Sequence, residues 1–267
     1  MKIARVATAG GPCAGVVDGD LVRPPRADEA LPALPGLEAV LTAPVALADT
    51  RLLAPVVPRK VCCIGRNYAA HAAELGNTVP SRPLLFHKPA TSVIGPGDPI
   101  LLPPDSVRVE HEAELALVIG RRSRHVQPDH WRTAVAGFTV LNDVSARDLQ
   151  RGDKQFARGK GFDTFCPVGP WIETDLDPSR LEVTCRVDGE LRQQGWTSDM
   201  IFDLPTVVAV VSRIMTLEPG DLIATGTPHG VGPLTPGDIV TVSVEGIGTL
   251  TNPVRADEDV PPAAPVG

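Results

Sequence analysis

The chain has 267 residues, with 25 Lys and Arg against 32 Asp and Glu and a formal charge of −7; no block of basic residues offsets that balance, which excludes a nucleic-acid backbone and an anionic membrane surface as partners. A hydrophobic share of 43% and a charged share of 21% are those of an ordinary globular protein, and no apolar run approaches the roughly eighteen residues of a spanning helix. The start, Met1-Lys2-Ile3-Ala4, has neither the charged head nor the apolar stretch of a signal peptide, and Cys13, Cys62, Cys63, Cys166 and Cys185 lack zinc-type pairing, so the expectation is a cytoplasmic protein with reduced, buried thiols.

In chain order, residues 1–9 and 14–22 read as short strands joined around Gly10-Gly11, and the Pro- and Ala-rich stretch 31–50 carries one candidate helix at 37–41. Residues 1–57 are expected to form a small N-terminal subdomain. The apolar run 61–64 ending at Gly65 reads as a buried strand. Asn67 is placed to cap a helix over 68–75, which Gly76 closes just past its C-terminus. Residues 84–87, 110–119 and 135–141 read as strands, the last ending at Asn142-Asp143. Residues 181–187 and the Asp188-Gly189 turn announce a hairpin. Over 204–215 the period is helical, with Leu204, Val207, Val208, Val211 and Met215 on one stripe. Strands are expected again at 222–224, 239–244 and 248–251. The 28 prolines and 25 glycines are spread along the chain, as turns between short strands require. The expected fold class is therefore α+β and β-rich, with a loose tail over 256–267.

In Glu110-His111-Glu112-Ala113-Glu114, alternation places Glu110, Glu112 and Glu114 on one face of a strand that runs into an apolar segment. Carboxylates on one buried face repel one another and are costly to desolvate unless a cation neutralises them. Oxygen-only ligands select a hard ion, Mg²⁺ or Mn²⁺. A solvated edge strand shows the same alternation, so the strand alone leaves both readings open. Asp143 ends a second apolar strand, where loops carry function, although Asn142-Asp143 also suits a turn and Asp148 with Arg151 a surface pair. His71 and Glu74 share a helix face, and a carboxylate behind an imidazole is the usual arrangement for taking a proton from water. The glycine-rich stretch 222–232 can wrap backbone amides around an anion. It lacks the Lys-Ser/Thr ending of a P-loop, which excludes nucleotide binding of that kind. His229 within it reads as solvent-facing.

Six stretches occur together in one order: Gly65-Arg66-Asn67-Tyr68-Ala69-Ala70-His71-Ala72-Ala73-Glu74, Phe86-His87-Lys88-Pro89, His111-Glu112-Ala113-Glu114-Leu115, Asn142-Asp143-Val144-Ser145-Ala146-Arg147-Asp148-Leu149-Gln150, Gly159-Lys160-Gly161-Phe162-Asp163-Thr164 and Thr225-Gly226-Thr227-Pro228. In this the chain resembles the fumarylacetoacetate hydrolase family over residues 60–254. The resemblance implies a rolled mixed β-sheet around a central metal site, a catalytic domain over 58–255 and a homodimer. It assigns Mg²⁺ or Mn²⁺ to Glu112, Glu114 and Asp143 and leaves Glu110 outside the metal's ligands. It places Arg147, Gln150, Lys160 and Thr227 at the 2-oxo-acid end of a small substrate, with Lys160 also supplying charge to the reaction. It makes His71 and Glu74 a water-activating pair. One departure is Gly161, where a serine often follows the lysine.

The activity so implied is divalent-metal-dependent hydrolysis of a carbon–carbon bond in a β-diketo, acylpyruvate-type 2-oxo acid, passing through an enolate. Decarboxylation of an oxaloacetate-type β-keto acid and isomerisation of a 2-hydroxy-dienedioate use the same site, and fold and triad do not separate them. The His71 and Glu74 pair favours hydrolysis, because isomerisation needs no attacking water. From another class, a non-catalytic protein that binds a metal and an oxo acid would keep the triad but have little use for Lys160 and the pair.

Overall fold

A computed structural model describes residues 1–153 and 155–258; residues 259–267 of the expected tail lie outside the described residues. One large sheet runs, in spatial order, through Val45–Ala46, Leu21–Arg23, Gly11–Asp18, Lys2–Thr8, Cys166–Glu173, Val135–Asn142, Ala113–Ile119, Leu222–Ala224, Val61–Gly65 and Leu84–Lys88. Ala113–Ile119 is buried along its whole length, with antiparallel partners on both sides. Its pleat explains why. Leu115, Leu117 and Ile119 enter one core cluster, and Ala116 and Val118 enter a second on the opposite face. Each large apolar side chain buried in this way contributes roughly 1.5–3 kcal/mol. Together they outweigh the several kcal/mol of desolvating one carboxylate, so the strand carries Glu114 into the interior.

A five-stranded sheet (Glu190–Trp196, Glu182–Val187, Ile239–Val244, Gly248–Ala256, Ile100–Leu102) covers the first of these faces. Val183, Cys185, Val242 and Val244 share one cluster with Leu115 and Leu117. Helix α4, Leu204–Ile214, adds Val207, Val208 and Val211 to it; Asp203 caps the helix by accepting from the Thr206 N–H. Three short helices lie near the ends of the large sheet's strands: α1 (Ala69–Glu74), α2 (Arg147–Gly152) and α3 (Ala157–Lys160). The N-terminal strands extend the large sheet, since Lys2 and Ile3 pair with Glu173 and Ile172. The result is the strand-rich mixed architecture expected. Among the described residues no helix is long and apolar enough to cross a membrane.

Several elements differ from expectation. Residues 37–41 form no helix: the chain bends at Glu38 and Ala39, and Val40 makes an isolated bridge to Ala14, the Ala14 N–H donating to the Ala39 carbonyl and the Leu41 N–H to the Ala14 carbonyl. Leu37 and Leu41 belong to different core clusters, which one helical stripe could not serve. Residues 14–22 are divided by a turn at Gly19, whose φ is +59°. Residues 110–119 are not one strand. Val109–Glu110 pairs with Ser145–Ala146, His111 donates its N–H to the Gly232 carbonyl, and the ladder resumes at Ala113. Cys166–Glu173 is a central strand without a strand-like pattern in the sequence. Its Pro167, Gly169 and Pro170 look like a turn, and the ladder with Val135–Asn142 shifts register around Pro170, which has no N–H to donate.

Candidate active site

Where the large sheet meets α1, α2 and α3, a cavity of about 350 Å³ is lined by His71, Glu112, Glu114, Asp143, Arg147, Gln150, Lys160 and Thr227. Eight of the nine residues singled out from the sequence thus converge on one space. The ninth, Glu74, sits behind His71. One oxygen from each of Glu112, Glu114 and Asp143 lies within 4.8 Å of the others, and all three side chains are buried. The strand break at His111 and Glu112 serves this arrangement. Glu112 donates its N–H to the Asn142 side-chain oxygen at 2.9 Å, and Asp143 donates its N–H to the Glu112 carbonyl at 2.9 Å. Two strand ends are thereby stapled together with their carboxylates side by side.

Cationic side chains engage two of the three carboxylates. Lys160 Nζ donates to Asp143 Oδ2 and Glu112 Oε2, each at 2.7 Å. Lys88 Nζ donates to Asp143 Oδ1 at 2.6 Å and to the Val144 carbonyl at 3.0 Å. Arg147 donates from Nη2 to Glu112 Oε1 at 2.6 Å, from Nε to Glu110 Oε2 at 2.7 Å and from Nη1 to Gln150 Oε1 at 2.6 Å. Glu110, buried but outside the triad, anchors that guanidinium. Burial alone would raise the Glu112 carboxyl, but Lys160 and Arg147 outweigh it and hold the group below the usual carboxylate range. Burial opposes charge on Lys160 as well, yet Asp143 and Glu112 keep it protonated above the usual lysine range.

Glu114 is different. Among the described residues its carboxylate accepts only the Gly226 N–H, at 2.8 Å, and burial, with Asp143 and Glu112 close by, pushes its pKa well above the usual carboxylate range. Glu110 pairs with Arg108 as well as Arg147, and Lys88, Lys160 and Arg147 answer Asp143 and Glu112, so Glu114 is the member of the triad that no cationic side chain engages among the described residues. A divalent cation at the triad would supply the positive charge that Glu114 lacks. The oxygen-only donor set fits Mg²⁺ or Mn²⁺.

On α1, the His71 Nδ1–H points at Glu74 Oε2 at 3.4 Å, and Glu74 also accepts the Gly230 N–H at 3.0 Å. Burial lowers the His71 pKa below its ordinary value of 6.5, against the pull of Glu112, so the ring is neutral and its Nε2 is a free base. Asn67 does not cap this helix. Its side chain bonds the Phe202 carbonyl, the Thr225 carbonyl and the Phe202 N–H, and Tyr68 holds the cap position without a side-chain bond. Gly76 closes the helix with φ +69°. The glycine-rich loop spends its Gly226 and Gly230 amides on Glu114 and Glu74 rather than on an external anion. His229 is exposed. Asp148 accepts from Ser106 and the Val107 N–H and forms no ion pair with Arg151. The roles of Lys88, Asn142 and Gln193 were not read from the sequence. For Lys88 the signal was a lysine closing the strand Leu84–Lys88 on the face of Phe86; nothing distinguishes Gln193 from Gln194.

A family model described as fumarylacetoacetate (FAA) hydrolase, C-terminal, matches residues 60–255, and one described as Rv2993c-like, N-terminal, matches residues 1–55. Protein Rv2993c of Mycobacterium tuberculosis is 49% identical over 259 residues, covering 95% of this chain and 98% of its own length. Mitochondrial oxaloacetate tautomerase Fahd2a of Rattus norvegicus is 45% identical over 219 residues, 78% of this chain and 70% of the relative. Among solved structures, 5-carboxymethyl-2-hydroxymuconate delta-isomerase of Mycobacterium smegmatis matches with a TM-score of 0.85 at 46% identity, over 96% of this chain and 99% of that one. Maleylpyruvate hydrolase of Sphingobium sp. SYK-6, in complex with manganese(II) and pyruvate, matches with a TM-score of 0.77 at 34% identity, over 96% and 99%. The last three are named as a tautomerase, an isomerase and a hydrolase. The chain belongs to the fumarylacetoacetate hydrolase family.

Proposed function

We propose that the chain holds a divalent cation at Glu112, Glu114 and Asp143 and interconverts the keto and enol forms of a small 2-oxo acid of the oxaloacetate type. The observation that carries this reading is the carboxylate triad within 4.8 Å, sharing one cavity with a neutral imidazole and a charged lysine. A cation bound there supplies Lewis acidity that polarises the 2-oxo group. Arg147 uses three of its five N–H donors on Glu110, Glu112 and Gln150, which leaves two for the ligand's carboxylate. His71 Nε2 takes the proton from the carbon next to the 2-oxo group, and the C–H electron pair forms the carbon–carbon double bond. Negative charge moves to the ligand oxygen, and the Lys160 ammonium stabilises it there. The proton held on His71 is then given up to that oxygen, which yields the enol and restores the neutral ring; the reverse sequence yields the keto acid. No water is consumed. A positioned base of this kind contributes roughly 10²–10⁴-fold.

The tautomerase and isomerase relatives, at 45% and 46% identity, support this over cleavage. Hydrolysis of a carbon–carbon bond, the activity expected from the sequence, is the second reading. Glu74 behind His71 favours it, since that pairing suits activation of water, and so does the likeness to a maleylpyruvate hydrolase. Decarboxylation passes through the same enol. Two assays separate the readings: ultraviolet decay of enol-oxaloacetate with Mg²⁺, and pyruvate release from acylpyruvates. The proposal expects faster ketonisation than in a metal-only blank, reduced at least about 100-fold in His71→Ala. Pyruvate release without faster ketonisation would support hydrolysis. Neither activity, with thermal stabilisation by Mg²⁺ and oxalate intact, would leave a binding protein. The assembly proposed is a cytoplasmic homodimer, which analytical ultracentrifugation tests in its oligomeric part.

A further inference from the structure

Gln193 lies on the strand Glu190–Trp196, outside the cavity lining, and is fully buried. Both ends of its side-chain amide are used. Oε1 accepts from the Ala113 N–H at 3.0 Å and from His111 Nδ1 at 2.9 Å; Nε2 donates to Thr227 Oγ1 and to the Pro228 carbonyl, each at 2.8 Å. A backbone N–H can only donate and a backbone carbonyl can only accept, so Ala113 and Pro228 decide which end of the amide is oxygen. Two consequences follow. His111 carries its proton on Nδ1. Thr227 Oγ1 receives a hydrogen from Gln193, and its own proton must go elsewhere. Among the described residues the Thr227 hydroxyl makes no other hydrogen bond, and Thr227 lines the cavity.

We infer that Gln193 is a positioning residue: it fixes Thr227 as a hydrogen-bond donor into the cavity, which selects an anionic oxygen of the ligand at that point. The bond to Ala113, between Glu112 and Glu114, ties this donor to the triad's strand, so anion site and triad keep one spacing. The inference rests on the proposed function in that the ligand is taken to be a 2-oxo carboxylate. It goes further in making the polarity of Thr227 a property of a residue that touches no ligand.

The test is oxalate binding by titration calorimetry in the presence of Mg²⁺, with kcat and KM for oxaloacetate measured alongside. The proteins are wild type, Gln193→Met, Gln193→Glu, Thr227→Val and the double variant Gln193→Met/Thr227→Val. Gln193→Glu keeps the shape but puts an oxygen where Nε2 donated, so that the Pro228 carbonyl loses its donor and the Thr227 hydroxyl donates to the new carboxylate, turning its proton from the cavity. A hydrogen bond to a charged ligand supports an expectation of roughly tenfold weaker oxalate binding in each single variant. KM should rise more than kcat falls, and the double variant should be no weaker than Thr227→Val. Effects that multiply in the double variant would overturn the inference, because Gln193 would then act independently of Thr227. Wild-type affinity in Gln193→Met would overturn it while leaving the proposed function standing. Failure of wild type itself to bind oxalate or oxaloacetate would remove both. If Gln193→Met does not fold, Gln193→Glu and Thr227→Val decide: unchanged oxalate binding in either contradicts the inference.

Discussion

Glu114 and Lys88 show how closely charge is matched in the cavity wall. Among the described residues Glu114 accepts a single backbone N–H, so without a cation its charged form is costly and its pKa is held well above the usual range. Glu114→Gln is expected to raise the melting temperature in EDTA and to abolish the further rise that Mn²⁺ produces in wild type; differential scanning fluorimetry reads both. Lys88 is the opposite case, a buried ammonium that neutralises Asp143. Lys88→Met leaves that carboxylate to Lys160 alone, which Glu112 shares, and should lower stability in EDTA by about 1–3 kcal/mol, and less with Mn²⁺, where the cation replaces the missing charge; urea unfolding under the two conditions measures the difference. The two residues also differ in how visible they were in the sequence. Carboxylates spaced by two beside an apolar run raise the question of a cation, and Asp143 with the ordered motifs answers it in favour of a buried site. A lysine ending a strand reads as a solvated terminus, and only the fold shows that Leu84–Lys88 delivers its last side chain to the end of Val135–Asn142.

At the level of elements, α1 and the glycine-rich loop depend on each other. Gly230 donates its N–H to Glu74, and an added Cβ would come within 2.0 Å of the Arg192 carbonyl oxygen. Gly76, by contrast, has open space where a Cβ would stand, so a substitution there meets only its positive φ. Gly76→Ala should therefore cost about 1–2 kcal/mol of stability with little effect on kcat. Gly230→Ala should displace the loop, release Glu74 from His71 and lower kcat; thermal melts paired with kinetics distinguish the two. Elements with an uninterrupted period, such as α4 and Ala113–Ile119, were legible before the structure. Those that were not have local reasons. Cys166–Glu173 hides behind two prolines, and residues 37–41 have helical spacing yet form no helix because two clusters each claim one leucine.

Across the whole molecule, three histidines sit in surroundings that disfavour their charged form. Burial lowers the pKa of His71, His87 and His111 from 6.5. The unfolded chain therefore binds protons that the folded one refuses, and this contribution to stability is complete above about pH 6.5 and is lost as pH falls toward the folded values. The urea midpoint should drop between pH 7 and pH 5, and His71→Gln should flatten part of the slope. The ordered motifs made the family and the residues of the cavity legible. They left unread the network behind it (Lys88, Asn142, Gln193), since buried polar partners are chosen by contacts distant in sequence. The most direct measurement of the central claim is the rate of enol-oxaloacetate ketonisation as Mg²⁺ is titrated into EDTA-treated protein. The account predicts a saturable rise above the metal-only blank, absent in Asp143→Asn. A rate equal to the blank at every Mg²⁺ concentration would contradict it.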